Sequence, residues 1–170
     1  SIATHKTDLV DDLWLKNDMN SYLFKQLIKS PYNLIKHKAI TDGTYISDLI
    51  NLMINKDENN IINSSIKFGC CYTDLISGEL KTIYNTKNNQ GILKKSIQAS
   101  CTIGGVFPPV IINNTIGIDG GYREPVPVKA LVDMDLEFDK IFIVLCVKFI
   151  NDKFILLETT LFEVFNASYS

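Results

Sequence analysis

The feature that most constrains this 170-residue sequence is a turn-rich stretch over residues 99–128, ASCTIGGVFPPVIINNTIGIDGGYREPVPV. It holds five of the nine glycines and four of the five prolines in the chain. Glycine fits where the backbone turns sharply or approaches another group closely, and proline fixes φ. We therefore expect short strands joined by stiff loops here, rather than one long element.

One carboxylate, Asp119, stands within this stretch directly after the apolar step Ile116-Gly117-Ile118. A carboxylate at the end of a short strand, held in a stiff loop, is what an active-site base requires. Asp-Gly is also a common pair in the tight turns of β-hairpins. On spacing alone the hairpin is the favoured interpretation, and the catalytic interpretation stays open beside it.

Hydrophobic periodicity predicts alternating helices and strands along the chain, which argues for α/β layering. In the third helix we expect Ser47 to be the N-cap and Leu49, Leu52 and Met53 to face inward, with an exposed loop over 56–60 after it. The apolar run over 141–147 suits a buried central strand of a parallel sheet. The predicted helices cover residues 8–16, 22–29, 48–55, 91–101, 127–133 and 154–165, and the predicted strands 65–75, 79–84, 110–112, 116–118 and 141–147.

Composition narrows the classes of function. The net charge is -2 and the lysines are scattered, so no nucleic-acid partner is expected. No apolar run is long enough to span a bilayer, and the location stays open between the cytoplasm and the periphery of a membrane. With two histidines and no Cys-x-x-Cys, neither a metal nor a cofactor is expected. We expect all of the cysteines to be free, buried thiols: Cys70, Cys71, Cys101 and Cys146.

Three groups of motifs follow one another along the chain: Thr73-Asp74-Leu75 with Gly78, then Ala99-Ser100, Ile103, Gly105 and Phe107-Pro108-Pro109, then Asp119-Gly120-Gly121 with Pro127. Taken together and in this order, they resemble the patatin-like phospholipases, a family of lipid acyl hydrolases that use a Ser-Asp dyad. Thr102 and Gly104 depart from the family, which usually has Ala and Pro there. The helix around Leu13-Trp14 is similar to the segment after the family's nucleophile elbow.

The resemblance implies a three-layer α/β/α fold with a mostly parallel central sheet, incomplete on its N-terminal side. It implies that Asp119 is the catalytic carboxylate of the dyad and that Gly120 and Gly121 shape its turn. The implied substrate is a lipid ester at a membrane surface. No G-x-S-x-G elbow occurs in these residues, so we expect residues 1–170 to be a partial domain whose oxyanion loop and nucleophile lie upstream.

Three interpretations follow. The first is the C-terminal part of a serine lipid acyl hydrolase that contributes Asp119. The second is a non-catalytic fragment or degenerate homologue that acts as an interaction module, and the third is an unrelated α/β binding domain in which Asp119 is a hairpin residue. Arg123, the lone arginine, fits either a lipid head group or a surface salt bridge with Glu124.

Overall fold

The computed structural model describes residues 25–26, 29–54, 58–134 and 138–144. The chain divides into two compact units between residues 136 and 137, and every element named below belongs to the first unit. The predicted helices over 8–16 and 154–165 lie outside the described residues.

Four described strands form one open sheet: β1 (Gly69–Asp74), β2 (Leu80–Tyr84), β3 (Val110–Ile112) and β4 (Thr115–Asp119). Their order is β2-β1-β4-β3, and every neighbouring pair is antiparallel. Tight turns join both hairpins, with Gly78 at φ 72° in one and Asn113 at φ 52° in the other. The strand pairs around both turns match the prediction, but the expected parallel sheet is wrong for these strands. The two short connections permit only antiparallel neighbours, and β1 and β4, which are distant in sequence, also pair antiparallel.

The apolar run over 141–147 does not behave as the predicted central strand in its described part. Residues 141–144 belong to no strand, and Phe142 and Val144 are 84% and 86% exposed. Residues 145–147 lie outside the described residues. An apolar run becomes a buried strand only where a neighbouring strand pairs with it, and no described strand pairs with residues 141–144.

Five helices can be given bounds in the described part of the chain: α1 (Ser30–His37), α2 (Thr44–Ile54), α3 (Glu58–Ile62), α4 (Leu93–Ser100) and α5 (Val128–Val132). None of these described helices has the length and apolarity needed to cross a membrane. Two short 3₁₀ turns also lie among the described residues, at Lys87–Asn89 and Gly120–Tyr122.

Helix α2 begins earlier than the sequence pattern predicts. The Asp42 carboxylate accepts hydrogen bonds from the Thr44 N–H (3.1 Å) and hydroxyl (2.7 Å), so Asp42 and not Ser47 marks the helix start. The inward face matches the prediction in part. Met53 packs against the core as predicted, but Leu52 is 53% exposed, and the buried residues of the helix are Ile50 and Ile54.

Two further helix predictions need correction. Lys25 and Gln26 are helical, but α1 then begins at Ser30 and carries Pro31 in its first turn, where the missing N–H costs no helical hydrogen bond. The exposed loop expected over 56–60 contains the start of α3, whose last two residues, Ile61 and Ile62, are buried. Their burial stabilises a helix that the polar residues before them do not predict.

Helix α4 packs on one face of the sheet and contacts all four strands. Leu93 and Ala99 on α4 are fully buried. The apolar core consists of two clusters beside α4. One contains Ile50, Ile54, Ile61, Ile62, Cys70 and Leu93, and the other Tyr72, Ala99, Val110 and Ile112.

Candidate active site

The backbone of Asp119, the last residue of β4, is held from two directions. Its N–H donates to the carbonyl of Thr102 (2.9 Å), and its carbonyl accepts from the Thr73 hydroxyl (3.1 Å). Asp119 also stands opposite Tyr72 in the β1–β4 ladder. Strand β1 and the loop after α4 therefore fix the main chain from which this carboxylate projects.

The Asp119 side chain is half-exposed, and only one of its oxygens accepts a hydrogen bond from a described residue. Oδ1 accepts a hydrogen bond from the Gly121 N–H (2.8 Å), which caps the 3₁₀ turn Gly120–Tyr122. No described residue donates to Oδ2. Because β4 runs into this 3₁₀ turn, Asp119-Gly120 is not the turn of a β-hairpin, and the hairpin interpretation is wrong. The carboxylate is thus oriented by one hydrogen bond and keeps one oxygen for another group.

Gly120 and Gly121 are required for different reasons. A Cβ on Gly120 would lie 2.7 Å from the backbone oxygen of Cys71, in β1, which cannot move aside without disturbing the strand. A Cβ on Gly121 would lie 3.2 Å from Asp119 Oδ1 and crowd the carboxylate that its N–H orients. The first glycine lets the turn pack against β1, and the second leaves room for the Asp119 side chain.

Asp74, the acid of the Thr73-Asp74-Leu75 motif, has a structural role. Its carboxylate accepts from the Ile76 and Ile116 N–H groups and from both the N–H and the hydroxyl of Ser77. Desolvation raises the pKa of Asp74, but these hydrogen bonds outweigh it and hold the pKa below its ordinary value. Asp74 thereby ties the β1–β2 turn to β4, two residues from the pairing partner of Asp119.

The Phe107-Pro108-Pro109 loop borders a groove beside the start of α2. Backbone N–H groups of Ile40 and Thr41 donate to the carbonyls of Gly105 and Val106. The groove has a volume of about 460 Å³, and Asp119 is not among its lining residues. Those residues are Asp42, Gly43, Thr44, Ile46, Ser47, Lys95, Gln98, Thr102, Phe107, Pro108, Pro109, Val110 and Ile111.

Three of the four cysteines lie in the described part of the chain, and all three are free thiols. Cys70 and Cys71 are buried as predicted, and desolvation raises the pKa of Cys70 to about 12. Cys101 is exposed, contrary to the prediction. Desolvation and, second, the nearby charge of Asp119 raise the pKa of Cys101, which places its thiol within electrostatic reach of the candidate carboxylate. Cys146 lies outside the described residues.

The other polar candidates are not joined to Asp119. Arg123 is exposed and forms no ion pair with Glu124 or any other described residue. His37 lies on α1 with its ring edge against Tyr32 (6.5 Å between centroids), and His5 lies outside the described residues. Among the described residues no cluster of His, Cys, Asp and Glu could hold a metal ion.

Thr73 and Thr102, which fix the backbone of Asp119, are functional neighbours that the sequence pattern alone does not reveal. Thr73 is 8% exposed and Thr102 is 1% exposed, with the Thr102 hydroxyl donating to the Gln98 carbonyl. Two signals could have found them. Thr73 belongs to the T-D-L motif, and Thr102 is a polar residue where the family usually has alanine.

Comparison with known proteins agrees with the motif order. The family model described as patatin-like phospholipase matches residues 4–132, a range that contains all four described strands and Asp119. No curated protein matches the chain. Because the match covers most of its length, the chain belongs to the patatin-like phospholipase family, which indicates a lipid acyl hydrolase.

Proposed function

We propose that this chain is the C-terminal part of a lipid acyl hydrolase and that Asp119 is the general base of a Ser-Asp dyad. The observation that carries the proposal is the state of the Asp119 carboxylate. Its backbone is fixed by Thr73 and Thr102, Oδ1 is oriented by the Gly121 N–H, and Oδ2 has no partner among the described residues. A positioned carboxylate with one available oxygen is suited to accept a proton.

In the proposed reaction, Asp119 removes the proton of a serine hydroxyl as that oxygen attacks the carbonyl carbon of a lipid ester. The tetrahedral intermediate collapses, the alcohol part of the lipid leaves with the proton from Asp119, and an acyl-serine remains. Water, deprotonated by the same carboxylate, then releases the fatty acid and restores the serine. Backbone N–H groups of a glycine-rich loop stabilise the oxyanion in both steps.

The serine and the oxyanion loop are proposed to come from a segment that is not in these 170 residues, since the sequence contains no G-x-S-x-G. The substrate is proposed to be a lipid ester presented at a membrane surface. Arg123, exposed and without an ion pair to a described residue, is placed four positions after Asp119 and is available to an anionic head group.

The test is to extend the chain upstream through its coding sequence and to measure fatty acid release from phospholipid vesicles. Labelling by a fluorophosphonate probe, which reports an activated serine, should accompany turnover. We expect Asp119→Asn to abolish both fatty acid release and labelling. The control His37→Ala changes a residue that has no role in a Ser-Asp dyad and should keep both. Turnover by the Asn variant at the normal rate would refute the dyad assignment.

A second function is supported by the same lack of a serine elbow, namely an interaction module without catalysis. This alternative predicts that the extended protein folds but neither labels with the fluorophosphonate probe nor releases fatty acid. The 170-residue chain alone should be inactive under both interpretations, so only the extended protein separates them.

A further inference from the structure

Helix α1 has an unusual distribution of polarity. Its buried residue is Asn33, only 2% exposed, whereas its apolar residues Tyr32, Leu34 and Ile35 are 60%, 51% and 77% exposed. In an amphipathic helix that packs on a core, the apolar side chains face inward. Helix α1 has the reverse arrangement, and its side chains Tyr32, Leu34 and Ile35 are not part of the buried core.

A network of hydrogen bonds attaches the inner side of α1 to the rest of the protein. The Asn33 side-chain amide donates to Gln26 Oε1 (2.8 Å) and to the Ile40 carbonyl (2.9 Å). Gln26 in turn donates to Asp42 Oδ2 (3.1 Å) at the start of α2. This network fixes the polar side of α1 against the protein and directs Tyr32 and Ile35 outward.

Positive charge surrounds the exposed apolar residues. Lys25, Lys29, Lys36 and Lys38 are all exposed, and none of them forms an ion pair with another described residue. The Lys36 ammonium lies 5.3 Å from the centre of the Tyr32 ring, so the cation borders the apolar surface itself. The sequence has no Asp or Glu from residue 19 to residue 41, although the net charge of the whole chain is -2.

We propose that the outer face of α1, formed by Tyr32, Ile35 and Lys36 with the flanking lysines, docks the protein on an anionic phospholipid membrane. Interfacial helices insert apolar side chains beside the head groups while lysines contact anionic lipid. A protein partner fits less well. Helix α1 has eight residues and is therefore about 12 Å long. Its outer face is small beside the area of about 800 Å² that each side of a standard protein interface contributes.

The inference deepens the proposed function and rests on it only for the nature of the substrate, since docking can be measured without hydrolysis. The experiment is co-sedimentation of the full 170-residue chain with vesicles of phosphatidylcholine alone or mixed with phosphatidylserine. We expect binding to the anionic vesicles, weaker binding in high salt, and little binding to phosphatidylcholine alone.

Two α1 variants test the two parts of the surface, each with a matched control. Lys25→Gln/Lys29→Gln/Lys36→Gln should weaken binding by about 100-fold, since each lysine near an anionic surface contributes about fivefold. Its control, Lys87→Gln/Lys94→Gln/Lys95→Gln, removes the same charge elsewhere and should have little effect. Tyr32→Ser/Ile35→Ser should weaken binding about tenfold or more. Its control, Leu52→Ser/Ile111→Ser, removes two exposed apolar side chains elsewhere and should have little effect.

The outcomes separate docking from catalysis. Asp119→Asn should bind vesicles as the unaltered chain does, so α1-dependent binding supports docking even if the extended protein proves inactive. Equal binding by the α1 variants and their controls, or no binding to anionic vesicles, would overturn the inference. Loss of self-association in Tyr32→Ser/Ile35→Ser, without vesicle binding, would identify the face as a protein contact and would also overturn it.

Discussion

Two aspartates end neighbouring strands of this sheet, and their surroundings differ in kind. Asp74 ends β1 and is 4% exposed, with both carboxylate oxygens accepting hydrogen bonds from the turn and from β4. Asp119 ends β4, is half-exposed, and among the described residues its side chain accepts one hydrogen bond, from the Gly121 N–H. Both residues precede a turn and both are typical of strand ends, so position along a strand does not distinguish them.

The difference shows how a structural carboxylate can be told from one that is available for chemistry. In the structural carboxylate both oxygens already accept hydrogen bonds, whereas the available one keeps an oxygen for another group. Asp74 Oδ1 joins the β1–β2 turn to β4, and Oδ2 holds Ser77 within that turn. A reacting group would have to break those bonds to reach the carboxylate. Asp119 carries its fixing bonds on the backbone instead, through Thr73 and Thr102, which leaves its side chain available. A fixed backbone with an unsaturated side chain is what preorganised catalysis requires.

The largest expected effect comes from exchanging each carboxylate for an amide in the extended protein. Asp119→Asn should lower kcat by a factor of about 10²–10⁴ or more, because an amide cannot take the serine proton. Its melting temperature should stay near that of the unaltered protein, since one exposed hydrogen bond is affected. The measurements are kcat on a fluorogenic lipid ester and a thermal melt of each protein.

Asp74→Asn is the matched control, with the opposite expected pattern. It should lower the melting temperature, because an amide NH₂ directed at the N–H groups of Ile76, Ser77 or Ile116 leaves buried donors unpaired. The kcat of the fraction that remains folded should be near normal. If Asp74→Asn lost turnover while folded and Asp119→Asn did not, the roles assigned to the two residues would be reversed.

The next largest effect is expected at Gly120, which lets the turn after Asp119 pack closely against β1. Gly120→Ala should lower the free energy of unfolding by about 1–3 kcal/mol, because its Cβ would lie 2.7 Å from the Cys71 backbone oxygen. Gly121→Ala should change it by only about 0.5 kcal/mol, since the crowded group is a side-chain oxygen at 3.2 Å. Urea denaturation of both variants measures the difference, and equal losses would count against the packing argument.

A smaller effect lies in the pH dependence of stability. Because the pKa of Asp74 is lower in the folded protein, its ionised form stabilises the fold above the ordinary carboxyl pKa of 3.8, and this contribution disappears as the pH falls through the folded pKa. The melting temperatures of the unaltered chain and Asp74→Asn should therefore differ most near neutral pH and converge below pH 3.8. If the difference between the two melting temperatures grew as the pH fell, the pKa of Asp74 could not be lower in the folded protein than in the unfolded chain.

The sequence predicts those elements whose signals are local. The turns at Gly78 and Asn113, the strands around them and helix α4 follow from turn chemistry and hydrophobic period, which act over a few residues. The motif order also led to the family that the comparison found. Asp119 as a candidate followed from one motif and its loop, and its catalytic role stays a prediction.

The features that depend on distant contacts were not predictable from local patterns. Helix α2 starts at Thr44 because Asp42 accepts its hydrogen bonds, and α1 presents apolar residues outward because Asn33 anchors its inner side. The parallel sheet was expected from the unbroken apolar run over 141–147 and from the family resemblance, and neither fixes the direction of the described strands. Whether Asp74 or Asp119 is the saturated carboxylate depends on which N–H groups surround each one, and one of the donors to Asp74, Ile116, is 42 residues away in sequence.

The smallest expected effect uses Cys101 as a reporter of the charge on Asp119. Desolvation and, second, the Asp119 carboxylate raise the pKa of this exposed thiol, so Asp119→Asn should lower the Cys101 pKa, and Asp74→Asn should leave it unchanged. The rate of alkylation by iodoacetamide as a function of pH, followed on the Cys101 peptide by mass spectrometry, measures that pKa. The assay needs no catalysis, so it can be done on the 170-residue chain itself. Identical pH profiles for the two Asn variants would contradict the expected electrostatic effect of the Asp119 carboxylate on this thiol.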